Sequence, residues 1–338
     1  MLLKLNFVKG KLKIQHQKLL FILAFAAVYI LWGSTYYSIK VAILTIPPFL
    51  MAGTRFVLAG AVLFIAALIS GVSMPRLSAW KENAVLGFFL LLMGNGGIVW
   101  ASERVPSGII ALLITIEPMW VLLLSLFKKG GKLPGIQTII GIGMGLVGTF
   151  LLLAPGKLGS FSIDPIGLIA ILISTICWAI GSLYAVKANE GINSSLSTGI
   201  QMLCGGIYMF VTGLLKGEAQ ALNFASFSIE SLYAVLYLIV FGSIIGFSAY
   251  SYLLKTANPN QVATYAYVNP LVAVLIGTFL GKEAFNLQIA VSAAFLLAGV
   301  VLVLTKKDTP GKQFFAQKAS INRHRGKRGR EKRAASVC

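Results

Sequence analysis

Two charged side chains, Arg55 and Glu117, lie inside long apolar segments of the 338-residue chain. A charge at the centre of a membrane helix costs about 3 kcal/mol on insertion, so such residues usually face a bundle interior or a wet cavity. Glu117 is therefore a candidate for direct contact with a substrate or a proton. Arg55 lies about eight residues into its segment, so it either lines the same site, pairs with Glu117 or extends its charge to the membrane surface.

Uncharged polar residues form a second candidate group near the end of the chain. Gln261, Tyr265 and Asn269 follow one another at intervals of four residues, which places them on one face of a helix. Pro270 follows this face directly, and Pro118 follows the buried glutamate in the same way. Each proline removes a backbone donor and frees a carbonyl, so we expect two helix kinks. The kinks serve either helix packing or a ligand that bonds to the freed carbonyls.

Aromatic residues with a polar atom are candidates for the wall of a cavity. Trp32 and Trp178 occupy corresponding places in two apolar segments, and Trp178 shares a helix face with Ser174 and Ser182. Aromatic residues near the ends of the segments, such as Trp100, fit an interfacial belt equally well. We therefore assign Trp32 and Trp178, and not the peripheral rings, to the predicted cavity.

Catalytic and metal-binding patterns are missing from the sequence. The two histidines and two aspartates all lie outside the apolar segments, so they cannot form a catalytic triad, a metal cluster or an intramembrane aspartate pair. The three cysteines have neither disulfide nor metal spacing. We expect no catalytic residue, no metal and no cofactor, and we expect that the protein is not an enzyme.

The elements that must position these residues are membrane helices. Hydrophobic residues make up 57% of the chain and charged residues 12%, against about 25% charged in soluble domains, and the mean hydropathy is +0.84. Segments of about 20 apolar residues match the thickness of a bilayer. The sequence predicts an all-α integral membrane protein with ten transmembrane helices at residues 19–39, 48–70, 83–101, 107–127, 136–154, 165–186, 195–215, 231–254, 261–280 and 287–305.

Lysine and arginine dominate the charge of the chain and set its predicted orientation. The net charge is +19, and the excess lies in loops and ends beside the membrane segments, which favours lipid contact and not nucleic acid. Cytoplasmic loops carry the basic excess, so we expect both termini in the cytoplasm. Residues 1–18 are then a cytoplasmic N-terminal segment, and residues 306–338 form a basic cytoplasmic tail that we expect to be disordered.

The chain also repeats itself weakly. Trp32 and Trp178 are separated by 146 residues, as are Arg55 and Gln201, and a similar spacing relates the two prolines. We therefore assign a first repeat to residues 19–154 and a second to residues 165–305, each with five helices. An odd number of helices inverts the second repeat in the membrane, and inverted repeats place a substrate site between them. Three glycines share one face of the fifth helix: Gly141, Gly145 and Gly148. This face allows close contact with another helix, and a homodimer that forms through it is one possibility.

Several motifs resemble one known family. They read LWGSTY at 31–36, PPFLMAGTRF at 47–56, GNG at 94–96, VPSG at 105–108, FGSII at 241–245 and YAYVNP at 265–270. In this order they resemble the EamA family of the drug/metabolite transporter superfamily, and are most similar to its YedA-like subgroup. The resemblance implies a bacterial inner-membrane exporter of amino acids or related metabolites, with a central cavity between two inverted five-helix repeats. It adds Thr35 and Asn95 to the candidate cavity residues, and it implies a small residue in many relatives where Glu117 stands here.

Together these observations predict a secondary transporter for a small molecule that works by alternating access to a central cavity. The alternative is a membrane-embedded enzyme or a channel-like protein that acts on a lipid or a small polar solute. Coupling is left open, because Glu117 either exchanges protons or stays ionised beside Arg55.

Overall fold

The structure is a computed structural model that describes residues 2–105, 110, 113–126, 135–153, 164–186, 188, 191–281 and 287–305. The described backbone is helical and contains no strand. We number ten helices: α1 Leu2–Ala42, α2 Pro48–Ile69, α3 Leu77–Ala101, α4 Glu117–Leu126, α5 Ile136–Leu153, α6 Pro165–Ala185, α7 Ser194–Leu215, α8 Ile229–Thr256, α9 Tyr265–Gly281 and α10 Leu287–Thr305. A helical turn, Pro259–Val262, precedes α9.

Six of these helices are long and apolar enough to cross a membrane: α1 from Gln17, α2, α3, α6, α7 and α8. Three further stretches are apolar but shorter, in α4, α5 and α10. The prediction of an all-helical, multi-pass membrane protein is therefore confirmed in these coarser terms. The count of ten membrane spans stays a prediction, since residues 106–109, 111–112, 127–134 and 282–286 lie outside the described part of the chain.

The two terminal segments predicted from the sequence are described to different extents by the structure. The backbone of α1 runs without a break from Leu2 to Ala42, so the residues predicted as an N-terminal segment continue the first helix. The predicted basic tail at 306–338 lies outside the described residues. The cytoplasmic placement of both termini is likewise a prediction.

Helices α2 and α7 pack closely because glycines allow their backbones to approach. A Cβ atom added to Gly60 would lie 2.8 Å from the carbonyl oxygen of Gly199, and one added to Gly206 would lie 2.7 Å from the amide nitrogen of Val57. In lipid, where apolar surfaces gain little from meeting, such backbone contact is a main source of helix association. The pair joins the first half of the chain to the second.

The predicted glycine face of α5 makes the same kind of contact. A Cβ atom on Gly141 would lie 2.8 Å from the carbonyl oxygen of Gly299 in α10, and one on Gly148 would lie 2.9 Å from the amide nitrogen of Leu296. The close-packing role of this face is thus present within one chain. Because α10 covers the face, a homodimer would have to use another surface, and a homodimer stays a prediction.

A charged side chain also joins the halves at the start of α2. The carboxylate of Glu218, beyond the end of α7, accepts hydrogen bonds from the backbone nitrogens of Phe49 (3.2 Å) and Leu50 (2.9 Å). These are donors of the first helical turn, which have no partner inside the helix. The contact fixes the end of α7 to the start of α2.

Candidate functional site

Helices α3 and α8 contain matching irregularities that shape the centre of the bundle. Gly87–Gly96 in α3 and Leu238–Ile245 in α8 have π-helical backbone. This geometry is rare and is frequently found at functional sites. Both segments contain a glycine, Gly94 in α3 and Gly242 in α8, and the 148 residues between them (242 − 94) are close to the spacing of the repeat.

Each π-helical segment packs against the tryptophan of the opposite half. A Cβ atom on Gly94 would lie 2.7 Å from Cε3 of Trp178, and one on Gly246 would lie 2.4 Å from Nε1 of Trp32. The Trp32 nitrogen donates a hydrogen bond to the carbonyl oxygen of Gly242 at 3.1 Å. The two tryptophans therefore occupy equivalent places in the two halves.

Trp32 lies at the centre of an aromatic cluster. Its ring centroid is 5.5 Å from that of Trp178, 5.0 Å from Phe247, 4.9 Å from Tyr250 and 5.2 Å from Tyr265. Such tilted and edge-to-face pairs stabilise beyond their buried area. The cluster joins α1, α6, α8 and α9 into one wall.

Hydrogen bonds hold the other tryptophan in place. Trp178 Nε1 donates to the hydroxyl of Tyr250 at 3.0 Å, and this hydroxyl also bonds to Ser182. The polar atoms of these buried side chains are thus satisfied inside the protein, and the Trp178 ring has a fixed orientation.

Arg55 is buried in the bundle and 2% exposed, so it does not extend to the membrane surface. Its Nε donates to Oγ of Ser243 in α8 at 2.7 Å, and its Cζ lies 4.5 Å from the ring centroid of Phe56. Its Nη1 has no hydrogen-bond partner within the described part of the chain. Among the described residues, the side-chain hydrogen-bond partner of this buried guanidinium is thus one neutral oxygen.

Glu117 is equally buried, also 2% exposed, at the start of α4. Its carboxylate accepts a hydrogen bond from the hydroxyl of Tyr265. The ion pairs among the described residues are Arg104–Asp164 and Lys216–Glu103. Arg55 and Glu117 therefore do not form the ion pair that the sequence left open. The two buried charges bond to hydroxyl groups of the second half instead.

The helices that carry Glu117 and Asn269 are discontinuous. Helix α4 begins after a turn at Thr115 and Ile116, with Pro118 in its first turn, where a proline loses no helical hydrogen bond. Helix α9 begins after a turn at Ala263 and Thr264, and Pro270 lies inside it. The break before α4 replaces the continuous helix predicted at 107–127.

Asn269 links the first helix of the bundle to the ninth. In the amide orientation that satisfies both of its ends, its nitrogen donates to the carbonyl oxygens of Tyr29 at 3.0 Å and Tyr265 at 3.1 Å. Tyr36 lines the same cavity as this side chain. Asn269 thus forms a bond between two helices and also lies on the wall of the cavity.

These side chains surround one cavity with about 70 Å³ of space for water molecules. Eight of the nine predicted cavity residues line it: Trp32, Thr35, Arg55, Asn95, Glu117, Trp178, Tyr265 and Asn269. Sequence reasoning did not assign the remaining lining residues, which are Tyr36, Ile39, Gly94, Ile98, Ile114, Ser174, Thr175 and Phe247. Two of these carried a usable signal, since Tyr36 and Ser174 each lie one helical turn from a cavity tryptophan.

Gln261, the ninth predicted residue, is not among the residues that line this cavity. This residue lies in the turn Pro259–Val262, where its side-chain oxygen accepts from the backbone nitrogen of Asn258 as part of a capping box. The break at 263–264 interrupts the helical spacing that would have aligned it with Tyr265 and Asn269. It therefore stabilises the start of a short helix and does not line the cavity.

Acidic residues, histidines and cysteines do not assemble into a group of three within the described part of the chain. The charged centre of the bundle therefore consists of one guanidinium and one carboxylate among hydroxyls, amides and aromatic rings. Such a set offers charge and hydrogen bonds to polar or charged groups.

Comparison with known proteins gives a consistent result. The EamA-like transporter family matches residues 19–154 and 165–305. The "Uncharacterized inner membrane transporter YedA" of Escherichia coli K12 is 37% identical over 303 residues, which cover 88% of this chain and 93% of the relative. The "Uncharacterized transporter YvbV" of Bacillus subtilis is 24% identical, with the same coverage of the two chains.

A solved crystal structure has a similar fold. Its TM-score is 0.68 at 21% sequence identity, and the match covers 83% of this chain and 94% of the other. At this identity the similarity concerns the fold alone.

Proposed function

Because the chain belongs to the EamA-like transporter family, we propose that it is a secondary transporter that exports amino acids or related small metabolites by alternating access. The observation that carries this proposal is the central cavity. Both halves of the chain contribute to its wall, and the two charged side chains buried in the bundle face it. A buried charge in a membrane protein usually marks a substrate or ion path.

The size of the cavity supports a mechanism with moving halves. Space for a few water molecules does not admit a metabolite, so the walls must separate to bind one. The breaks before α4 and α9 provide places where the backbone bends without disrupting a continuous helix, and discontinuous helices commonly form transporter binding sites. The glycine-packed pairs α2–α7 and α5–α10 then form the more rigid frame.

Glu117 is the group in this proposal that couples transport to protons. It is a titratable side chain on the cavity wall, and its hydrogen bond to Tyr265 connects the two halves. Protonation would remove its charge and change that contact. Facilitated diffusion is the competing arrangement, and it predicts release that does not respond to a proton gradient.

The proposed location is a bacterial inner membrane with both termini in the cytoplasm. The Escherichia coli relative is named an inner-membrane transporter, and the described helices include six that are able to cross a membrane. The basic excess in alternate loops supports this orientation.

The test is untargeted metabolite analysis of the medium around cells that overproduce the protein. We expect compounds that accumulate with the wild type but not with the Glu117→Gln and Asn269→Ala double variant at equal membrane levels. Glu230→Gln is the matched control, because Glu230 is exposed at the start of α8. This control is expected to release the same compounds as the wild type.

Three results would contradict the proposal. Unchanged release by the double variant would show that the cavity is not part of the transport path. A medium identical to that of cells without the protein would contradict export. Flux that rises linearly with solute concentration would instead indicate a channel.

A further inference from the structure

The central cavity contains two opposite charges that the protein leaves incompletely paired. Arg55 has a neutral hydroxyl on Nε and no partner on Nη1 within the described residues. Glu117 has a phenolic hydroxyl as its side-chain partner. Buried charges are normally paired with opposite charges, since a lone charge loses its hydration without compensation.

We propose that the cavity binds a zwitterion of the α-amino acid type, with the substrate carboxylate on Arg55 and the substrate ammonium group on Glu117. This inference rests on the proposed function and specifies how its substrate is recognised. Each end of such a ligand supplies the opposite charge that one of the two side chains lacks.

The geometry favours a ligand with two separate charged groups over a direct ion pair between Arg55 and Glu117. Arg55 is held toward α8 by Ser243, whereas Glu117 is held toward α9 by Tyr265, and no ion pair joins them among the described residues. Nη1 of Arg55 is buried without a partner beside a bonded Nε, so it can take one oxygen of a planar carboxylate once the cavity walls separate. The side-chain oxygen of Asn95, also buried and unpartnered in the described structure, offers a further acceptor for an N–H group.

The aromatic wall suits the remainder of the ligand. Trp32, Trp178 and Phe247 line the same cavity as the two charges. Their rings accept an apolar side chain by contact and attract an ammonium group through the face of the ring. We therefore expect an apolar or aromatic side chain on the preferred zwitterion.

Among the described residues, the first half supplies both buried charges. The residues that correspond to Arg55 and Glu117 in the second half are the amides Gln201 and Asn269. A carrier for uncharged solutes would not need either buried charge, and a carrier for simple cations would not need Arg55.

The experiment compares two probe series with the purified full-length protein. One series is L-phenylalanine, 2-phenylethylamine and 3-phenylpropionate, and the other is L-leucine, 3-methylbutylamine and 4-methylpentanoate. In each series the second compound lacks the carboxylate and the third lacks the ammonium group. Binding is followed by tryptophan fluorescence, since two tryptophans line the cavity.

The wild type should bind the amino acid of at least one series more tightly than both analogues. We expect Arg55→Gln to weaken amino acid and acid binding by roughly 10- to 100-fold, the range for loss of a charge-assisted hydrogen bond, with amine binding retained. Glu117→Gln should weaken amino acid and amine binding and leave acid binding unchanged. Retained binding of one analogue by each variant shows that the variant is folded.

Several outcomes would overturn the assignment. In one, an amine or an acid binds the wild type as tightly as the amino acid does. In another, a variant weakens the binding of all three compounds of a series equally. In the last, the wild type binds no member of either series. If cells nevertheless export a compound and this export depends on Glu117, the proposed transport function is supported and the proposed zwitterion site is wrong. If the binding pattern is as expected but cells export nothing, the zwitterion site stands and the export function fails.

Discussion

The two halves of the chain share a backbone design but differ in the chemistry that it positions. Both contain a π-helical segment in the third helix of the half, at Gly87–Gly96 and at Leu238–Ile245. Both have a tryptophan against that segment of the opposite half, and both contribute glycines to the contact between α2 and α7. Among the described residues, the buried charges are Arg55 and Glu117, and both belong to the first half.

This difference separates what helix packing requires from what ligand binding requires. Close backbone contact and helix irregularity depend on small residues, which recur at corresponding positions in both halves. The charges face a single central cavity and need to occur only once. Gln201, which corresponds to Arg55, is buried but lies outside the cavity wall. Equivalent positions in the repeat therefore do not imply equivalent functions.

The largest effect is expected from Arg55→Met compared with Gln201→Met. Loss of the guanidinium should reduce transport on the order of 100-fold, since a charged hydrogen-bond donor at the cavity is removed. Gln201 has a buried Nε2 without a partner in the described residues, so its replacement should leave transport within about twofold, because no satisfied hydrogen bond of that nitrogen is lost. Transport of the exported compound into vesicles measures both. Equal losses would mean that the halves share the chemistry as well as the frame.

Glycines of the α2–α7 contact should have similar effects in both halves. Gly60→Ala and Gly206→Ala each place a methyl group within 2.8 Å of backbone atoms, which cannot move like a side chain. We expect each to lower the free energy of unfolding by about 1–3 kcal/mol, as for overpacked cores.

The matched control is Gly143→Ala, since a Cβ atom at Gly143 meets nothing within 4 Å. It should raise the free energy of unfolding by about 0.5–1 kcal/mol, because alanine loses less backbone entropy in a helix. Denaturant titration in detergent gives all three values. A large effect in only one half would show that the contact is asymmetric.

The tryptophans provide a smaller test of the symmetry. Trp32→Phe and Trp178→Phe each remove one neutral hydrogen bond, worth about 1 kcal/mol or roughly a fivefold change in apparent affinity. Trp32→Phe should have the larger effect, because Trp32 contacts four other rings and its carbonyl acceptor at Gly242 loses this bond. After Trp178→Phe, Tyr250 retains Ser182. The transport KM of the two variants checks this order.

The smallest effect is expected from Arg104→Ala. Arg104 pairs with Asp164 at 3.4 Å, but its side chain is 46% exposed, so the pair contributes about 1 kcal/mol or less. Stability and transport should both remain close to the wild type. A clear loss of transport would assign this exposed ion pair a role in joining the halves.

Local composition and spacing were enough to determine much of this protein. Apolar segments of membrane length required helices, and the cost of a charge in lipid singled out Arg55 and Glu117. Corresponding tryptophans, glycines and prolines revealed the repeat. Eight of nine predicted cavity residues followed from these signals and from the family motifs, because each signal concerns one residue and its immediate neighbours.

The tertiary structure decided how those residues meet. Helical spacing alone placed Gln261 beside Tyr265 and Asn269, but the break at 263–264 turned it into a capping residue. The sequence also left open whether Arg55 pairs with Glu117, and the structure instead gives each a hydroxyl partner from the opposite half. Breaks and partners depend on how distant helices pack, and this information is not contained in the spacing of residues along one helix.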